Sequence, residues 1–283
     1  MSVVMGRRRA AIPPAILVAL AWLAAMVLVA VLADALAPHH YTTQNLRARL
    51  QPPMFWGGSW AYPLGTDSIG RDMLSRVIYG IRFSILIAVL GTLIGAVLGT
   101  VLGAIAAHRR GLVEEATMMM VDFQAAVPFI ILALAALAFF GNNFWLFVLI
   151  VGLDGWERYA RLTRGLVLSA QDSGYAVAIR TLGAGPVRVY AGHILPNIAS
   201  ALVVQMTLNF PGTILLETSL SFLGLGIQPP LTSLGLLLAS GRALLLNAWW
   251  IAVLPGVVIF LTTLSMSLVG DWLRDRLDPT LSH

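Results

Sequence analysis

Neither cysteine nor lysine occurs among the 283 residues. The first absence removes disulfides, a thiol nucleophile and any thiolate metal site. The second removes the Walker A phosphate loop, which needs a lysine after its glycines, and Schiff-base chemistry with it. All eighteen basic residues are arginine. Charge of either sign is scarce, at 11% of residues against 58% hydrophobic, and the mean hydropathy is +0.84. A water-soluble core of this length does not need so much apolar surface, so the chain reads as an all-α integral membrane protein. If ATP drives it, another chain binds the nucleotide. The net charge of +5 is assigned to arginines beside a membrane rather than to a nucleic-acid surface.

Histidine is also sparse. His39, His40, His108, His193 and His283 all lie outside the apolar runs, so a membrane hydrolase lacks an imidazole beside a nucleophile. The adjacent pair His39 and His40 has no further ligands near it, and no metal site is expected. A secondary transporter needs ionisable groups at the bilayer midplane and usually inverted repeats. Here the acids cluster at the ends of apolar runs, and no repeat is evident.

Six apolar runs are expected to cross the membrane. Arg7, Arg8 and Arg9 precede the first, about Ala15 to Leu36, which is longer than a signal-peptide core and reads as an uncleaved span. Residues 38 to 80 are rich in proline, glycine and tryptophan and read as an external loop. Within it Asp67, Arg71, Asp72 and Arg76 suggest salt bridges tying a short helix to the membrane surface. The second run, Phe83 to Ala107, carries Gly91, Gly95, Gly99 and Gly103 at every fourth position, a smooth groove for helix packing. A third, Glu115 to Phe140, contains Pro128 as a kink.

The fourth starts near Phe144 and is expected to leave the bilayer before Asp154, Glu157, Arg158, Arg161 and Arg164. Pairs Asp154–Arg158 and Glu157–Arg161 put the acid first at a four-residue spacing, favourable on a solvated helix. The fifth, Ile198 to Leu216, holds Gln205, Asn209 and a Pro211-Gly212 break, with Glu217 opening a Gly/Pro-rich external stretch. Gln205, Asn209 and Glu217 are therefore candidates for a translocation path. A sixth span, entered past Trp249 and Trp250, runs to about Val269. Sorting the arginines by this scheme leaves twelve inside and six outside, which sets both termini in the cytoplasm.

The polar interruption from Tyr175 to Asn197 organises the chain. After Tyr175, Ala176, Ala178 and Ile179 lead into Leu182 and a turn at Gly183-Ala184-Gly185-Pro186, a second short helix follows, and Leu195-Pro196 is expected to stop it. Two short helices on a membrane face make a knob for a partner.

This pattern resembles the cytoplasmic coupling segment of ABC importer permeases: EAA, three residues, Gly, nine residues, I-x-L-P. Ala178, Gly183, Leu195 and Pro196 match; Val177 stands where that family has Glu, Ile179 where it has Ala, and His193 where it has Ile. The stretches PLGTDSIGRD, YARLTR, ETSLSFLGLG and GDWLRDRLDP resemble, in order and spacing, the C-type permeases of dipeptide and oligopeptide importers. The resemblance implies a type I ABC importer permease with six spans and coupling helices in a bacterial inner membrane. It divides the chain into an N-terminal region at 1–80, a permease core at 81–270 and a cytoplasmic tail at 271–283. It also implies a related B-type permease, two ATPase subunits carrying ATP and Mg, an external substrate-binding protein, and no catalysis or cofactor in this chain. Nickel chelates, glutathione or another small solute are the alternative cargo.

Overall fold

The computed structural model describes residues 12–277 and, at 175–177, 180 and 187, the backbone only. Arg7, Arg8, Arg9 and the last six residues of the expected tail lie outside the described residues.

The described residues form helices and no β-strand, apart from one isolated bridge between Thr66 and Asp72. The first apolar run is α1, Pro14–Val31, followed by a single turn, α2, Ala33–Leu36. Then comes an irregular stretch to Asp72, whose carboxylate accepts a bond from the Ser75 N–H at 2.9 Å and so caps α3, Met73–Arg109. This corrects one expectation. The segment holding Arg76 is no separate surface helix but the first turns of a 37-residue helix, because nothing after Asp72 interrupts the pattern.

Next come α4, Gly111–Ala126, and α5, Phe129–Phe140, which meet at 90°. Pro128 forces Val127 into the extended region (φ −97°, ψ 132°), so the expected kink is a full break. Helix α6, Phe144–Gly152, ends at a turn where Gly155 takes φ +79°, and α7, Trp156–Gln171, departs from it. After the short α8, Gly174–Thr181, and α9, Pro186–Val189, a π-helical turn at Tyr190–Ile194 leads into α10, Leu195–Phe222. The chain closes with α11, Leu234–Gly241, and α12, Trp250–Leu277.

Among the described residues four helical stretches are long and apolar enough to cross a membrane: 14–31, 73–109, 190–222 and 250–277. The bent α4–α5 pair makes five. The remaining run of the expected six is α6, nine residues long and too short to span alone.

Two further expectations change. Helix α10 continues through Pro211 and Gly212 instead of breaking. A proline forfeits one bond, but the helix is held by its neighbours, and the Thr213 hydroxyl bonds the Asn209 carbonyl one turn back at 3.3 Å. Nor is Glu217 at the start of a loop, since α10 runs five residues beyond it.

Among the described residues five apolar clusters hold the helices together, and three of them carry most of the packing. One joins α1, α3, α11 and α12 around Met73, Leu237 and Ile251; a second joins α3, α5 and α6 around Ile87, Leu137 and Phe147; a third joins the ends of α3 and α7 to the π turn through Ala107, Val167 and Ile194. The 38–72 stretch is fastened to α12 by the Trp250 indole N–H, which donates to the Thr66 carbonyl at 3.0 Å. It is fastened to α3 by Asp67, which accepts from the N–H groups of Ile69 and Arg71, from the Arg71 guanidinium at 2.7 Å, and from the buried Arg76.

Candidate functional site: the knob and the polar cluster behind it

Helix α8 ends as the Leu182 N–H bonds the Ala178 carbonyl at 3.2 Å and the Ala184 N–H reaches back to Ile179 at 3.3 Å. That closure needs Gly183 at φ +83°, a region most L side chains avoid. Among the described residues nothing beyond its two chain neighbours lies within 4 Å of a Cβ built there. The adjoining Leu182 is 87% exposed, while Ala178, Gly183, Gly185 and Pro186 are exposed and Ala184 half-buried. The side chain of Tyr175 lies outside the described residues.

The knob's inner side is firmly seated. Val189 and Ile194 are buried against Ala107, Val167 and Ile198. The Tyr190 hydroxyl meets the His108 ring at 3.0 Å, where α3 ends, and the Gln171 amide, where α7 ends. Leu195 and Pro196 do not stop the segment as expected; they form the first turn of α10. The π turn before them is wider than an α turn, and Pro196, having no N–H to place, is tolerated at such a start.

From this seat two rods lead away. On α3 the glycine row faces the backbone of α6 and α7: a Cβ on Gly95 would stand 3.0 Å from the Gly152 carbonyl oxygen, one on Gly99 2.2 Å from that of Trp156, and one on Gly103 2.4 Å from that of Ala160. Gly91 faces Val151 and Thr213 side chains at 3.1 and 3.2 Å. The tract Trp156 to Gly165, expected as solvated scaffold, is instead packed here, with Trp156, Glu157, Tyr159, Ala160 and Thr163 buried. Glycine makes the approach, and the approach buries them. The pairs Asp154–Arg158 and Glu157–Arg161 do not form ion pairs. Arg161 bonds Asp122 at 2.9 Å and Arg164 bonds Glu114, both on α4, because α7 lies along α4 rather than in water.

The three path candidates separate. Gln205 is half-buried and lines an open cleft of about 510 Å3 with Asn197, Ser200 and Arg274. Asn209 is buried and accepts from the Arg158 guanidinium at 3.0 Å. Glu217 borders no surface of the described residues. It is 0% exposed, accepts from the Ser84 hydroxyl of α3 at 3.2 Å and that of Ser221 at 2.8 Å, and Ser84 in turn accepts the Leu234 N–H that opens α11. Sequence spacing missed Arg158, because its partner is 51 positions away.

Comparison with known proteins agrees with this architecture. Residues 99–283 match the family described as "Binding-protein-dependent transport system inner membrane component", and residues 14–53 match the N-terminal TM domain of oligopeptide transport permease C. The dipeptide transport system permease protein DppC of Escherichia coli K12 is 40% identical over 94% of this chain and 89% of its own length. The di/tripeptide permease DppC of Pseudomonas aeruginosa is 38% identical over 91% and 86%, and the oligopeptide permease OppC of Mycobacterium tuberculosis 36% over 92% and 90%. A chain of the MetNI methionine ABC transporter, solved facing inward, shares the fold with a TM-score of 0.56 over 71% of this chain and 97% of its own, at 16% identity. With a glycine-packed helix frame, a rigid knob at one end and a family match over most of its length, the chain belongs to the inner-membrane permease components of binding-protein-dependent ABC importers, a multi-pass, non-catalytic subunit.

Proposed function

We propose that this permease imports dipeptides or oligopeptides, forming half of a channel with a related B-type permease. Two ATPase subunits bind ATP and Mg, one of them seated on the knob; an external substrate-binding protein delivers cargo to the opposite end. Both termini and the knob are cytoplasmic, and residues 38–72 are external. The observation that carries the coupling role is Leu182, nearly fully exposed on a turn whose other side is locked to the ends of α3 and α7. An exposed leucine on a rigid base suits a groove in another protein, since a floppy attachment would absorb the motion that it has to pass on. ATP closure moves the knob, and the glycine-packed pair α3–α7 carries that movement as one body into the membrane. The peptide cargo rests on the names of the relatives, each of which is a dipeptide, tripeptide or oligopeptide permease.

The test is uptake by the permease co-expressed with the related permease, ATPase and binding-protein subunits and reconstituted in liposomes with ATP. Alanylalanine accumulation, lost with the ATPase subunits or the binding protein omitted, is the expected result. Accumulation of a nickel chelate or glutathione with no peptide uptake would replace the cargo and leave the machine.

A further inference from the structure

Arg158 stands at a depth where an arginine is costly. The glycine row sets that depth: Gly95 of α3 lies against the carbonyls of Gly152 and Asp154, and Gly99 against Trp156 and Tyr159. The residues flanking Arg158 rest on Gly99 and Gly103, inside the uncharged run between Arg82 and His108 and nearer its His108 end. Asn209, which holds the Arg158 guanidinium at 3.0 Å, is itself midway along α10. Two helices thus place the same group within the membrane-spanning part of the fold.

The side chain of Arg158 is 57% exposed on this chain, so it is not lodged in the helix core. A charged group between membrane-spanning helices faces protein or water, not lipid. Its setting is built rather than accidental. Gly155, at φ +79°, leaves no room for a side chain because Asn209 fills that space, with Nδ2 at 2.7 Å from a would-be Cβ. Glu157 approaches Arg158 Nε at 3.5 Å with one oxygen, while its other oxygen is buried without a partner. Asp154, half-buried on the far side of Gly155, lies within the field of Arg158. With Nη1 holding Asn209 and Nε turned to Glu157, the guanidinium keeps Nη2 and the second Nη1 hydrogen for an incoming carboxylate.

We propose that Arg158, braced by Asn209, is an intramembrane station for a passing peptide, taking its terminal carboxylate while Asp154 meets its terminal ammonium. This rests on the peptide reading above and extends it to a place and a pair of contacts. An apolar path alone would pass a zwitterion poorly, since both of its ends would go without partners. Fixed opposite charges replace the water that the ends give up.

Alanylalanine is the probe, with the whole complex in liposomes. Arg158→Gln is expected to lower uptake at least tenfold while the subunits still co-purify, and Arg158→Lys, which keeps the charge without the fork, to fall between. Asp154→Asn is expected to lower uptake by a similar factor at little change in bulk, which serves as the second arm should Arg158→Gln fail to assemble. In this cysteine-free chain Arg158→Cys should react with a hydrophilic thiol reagent in the assembled complex, as a position open to a water-filled path does. Undiminished uptake by Arg158→Gln or Asp154→Asn would overturn the station. So would an unreactive Arg158→Cys, which would place residue 158 against the partner permease. Wild-type complex that takes up no peptide at all would strike the cargo reading instead, and the station's occupant with it.

Discussion

The main-chain carbonyl oxygen of Trp156 lies 2.2 Å from where a Cβ on Gly99 would sit. Only a shift of the α3 and α7 backbones could make room, and backbone in a packed helix pair is not soft. Gly99→Val should therefore destabilise the folded chain by about 1–3 kcal/mol or more, the cost of overpacking. Gly165→Ala on the outer side of α7, with nothing within 4 Å of the new Cβ, should be neutral or gain up to ~1 kcal/mol from helix propensity. Thermal unfolding in detergent compares them, and equal midpoints would deny the close contact.

Gly183→Asp should abolish uptake while leaving membrane insertion intact. Among the described residues a Cβ there meets nothing beyond its chain neighbours, so the effect comes from φ +83°, costing on the order of 1–2 kcal/mol for a non-glycine, and from a charge brought to a partner's groove. Leu182→Ser should weaken ATPase co-purification with insertion unchanged. Wild-type uptake by Gly183→Asp would end the coupling role.

Glu217→Gln should preserve both assembly and uptake, because an amide oxygen still accepts from Ser84 or Ser221 and its NH2 finds a hydroxyl oxygen. Glu217→Leu leaves two buried hydroxyls without their acceptor and should cost about 1–3 kcal/mol per orphaned group. Uptake lost by Glu217→Gln in an intact complex would return Glu217 to the path.

The Asp67 knot predicts a pH dependence. Burial pushes this carboxyl up, but the Arg76 charge and the hydrogen bonds from Arg71 and Ile69 together outweigh it and hold it below the usual carboxylate range. A depressed folded value means the stabilisation is present above the unfolded value, near 4, and is lost as pH falls through the folded one. Proteolytic resistance of residues 38–72 should thus decline below about pH 4. Asp67→Asn should be less resistant at pH 7 and flat across that range; an unchanged acid transition would assign it to other groups.

Topology is open to single cysteines. Trp60→Cys and Leu246→Cys, at positions 82% and 99% exposed, should react with an impermeant thiol reagent from outside the cell, and Leu182→Cys only after the membrane is breached. Reaction of Leu182→Cys from outside would reverse the orientation.

Composition and period were enough to read a helical membrane protein, a glycine row on its second helix and a polar knob at residues 175–197, because bilayer solvation and backbone pairing act locally along the chain. The left-handed turn at Gly183 was legible for the same reason: its geometry is settled within a few residues. What sequence could not locate is whatever depends on which helix lies beside which. The tract after Gly155 looked like solvated scaffold because its charges are close in sequence, yet α7 lies against the α3 glycines, so Arg161 and Arg164 turn to α4 and Arg158 to Asn209. Glu217 looked like the edge of a loop, but the return of α11 onto α3 encloses it among serines. Local patterning decides which segments enter the membrane; the partners of a polar group there are chosen by packing, since only a neighbouring helix can supply what lipid does not.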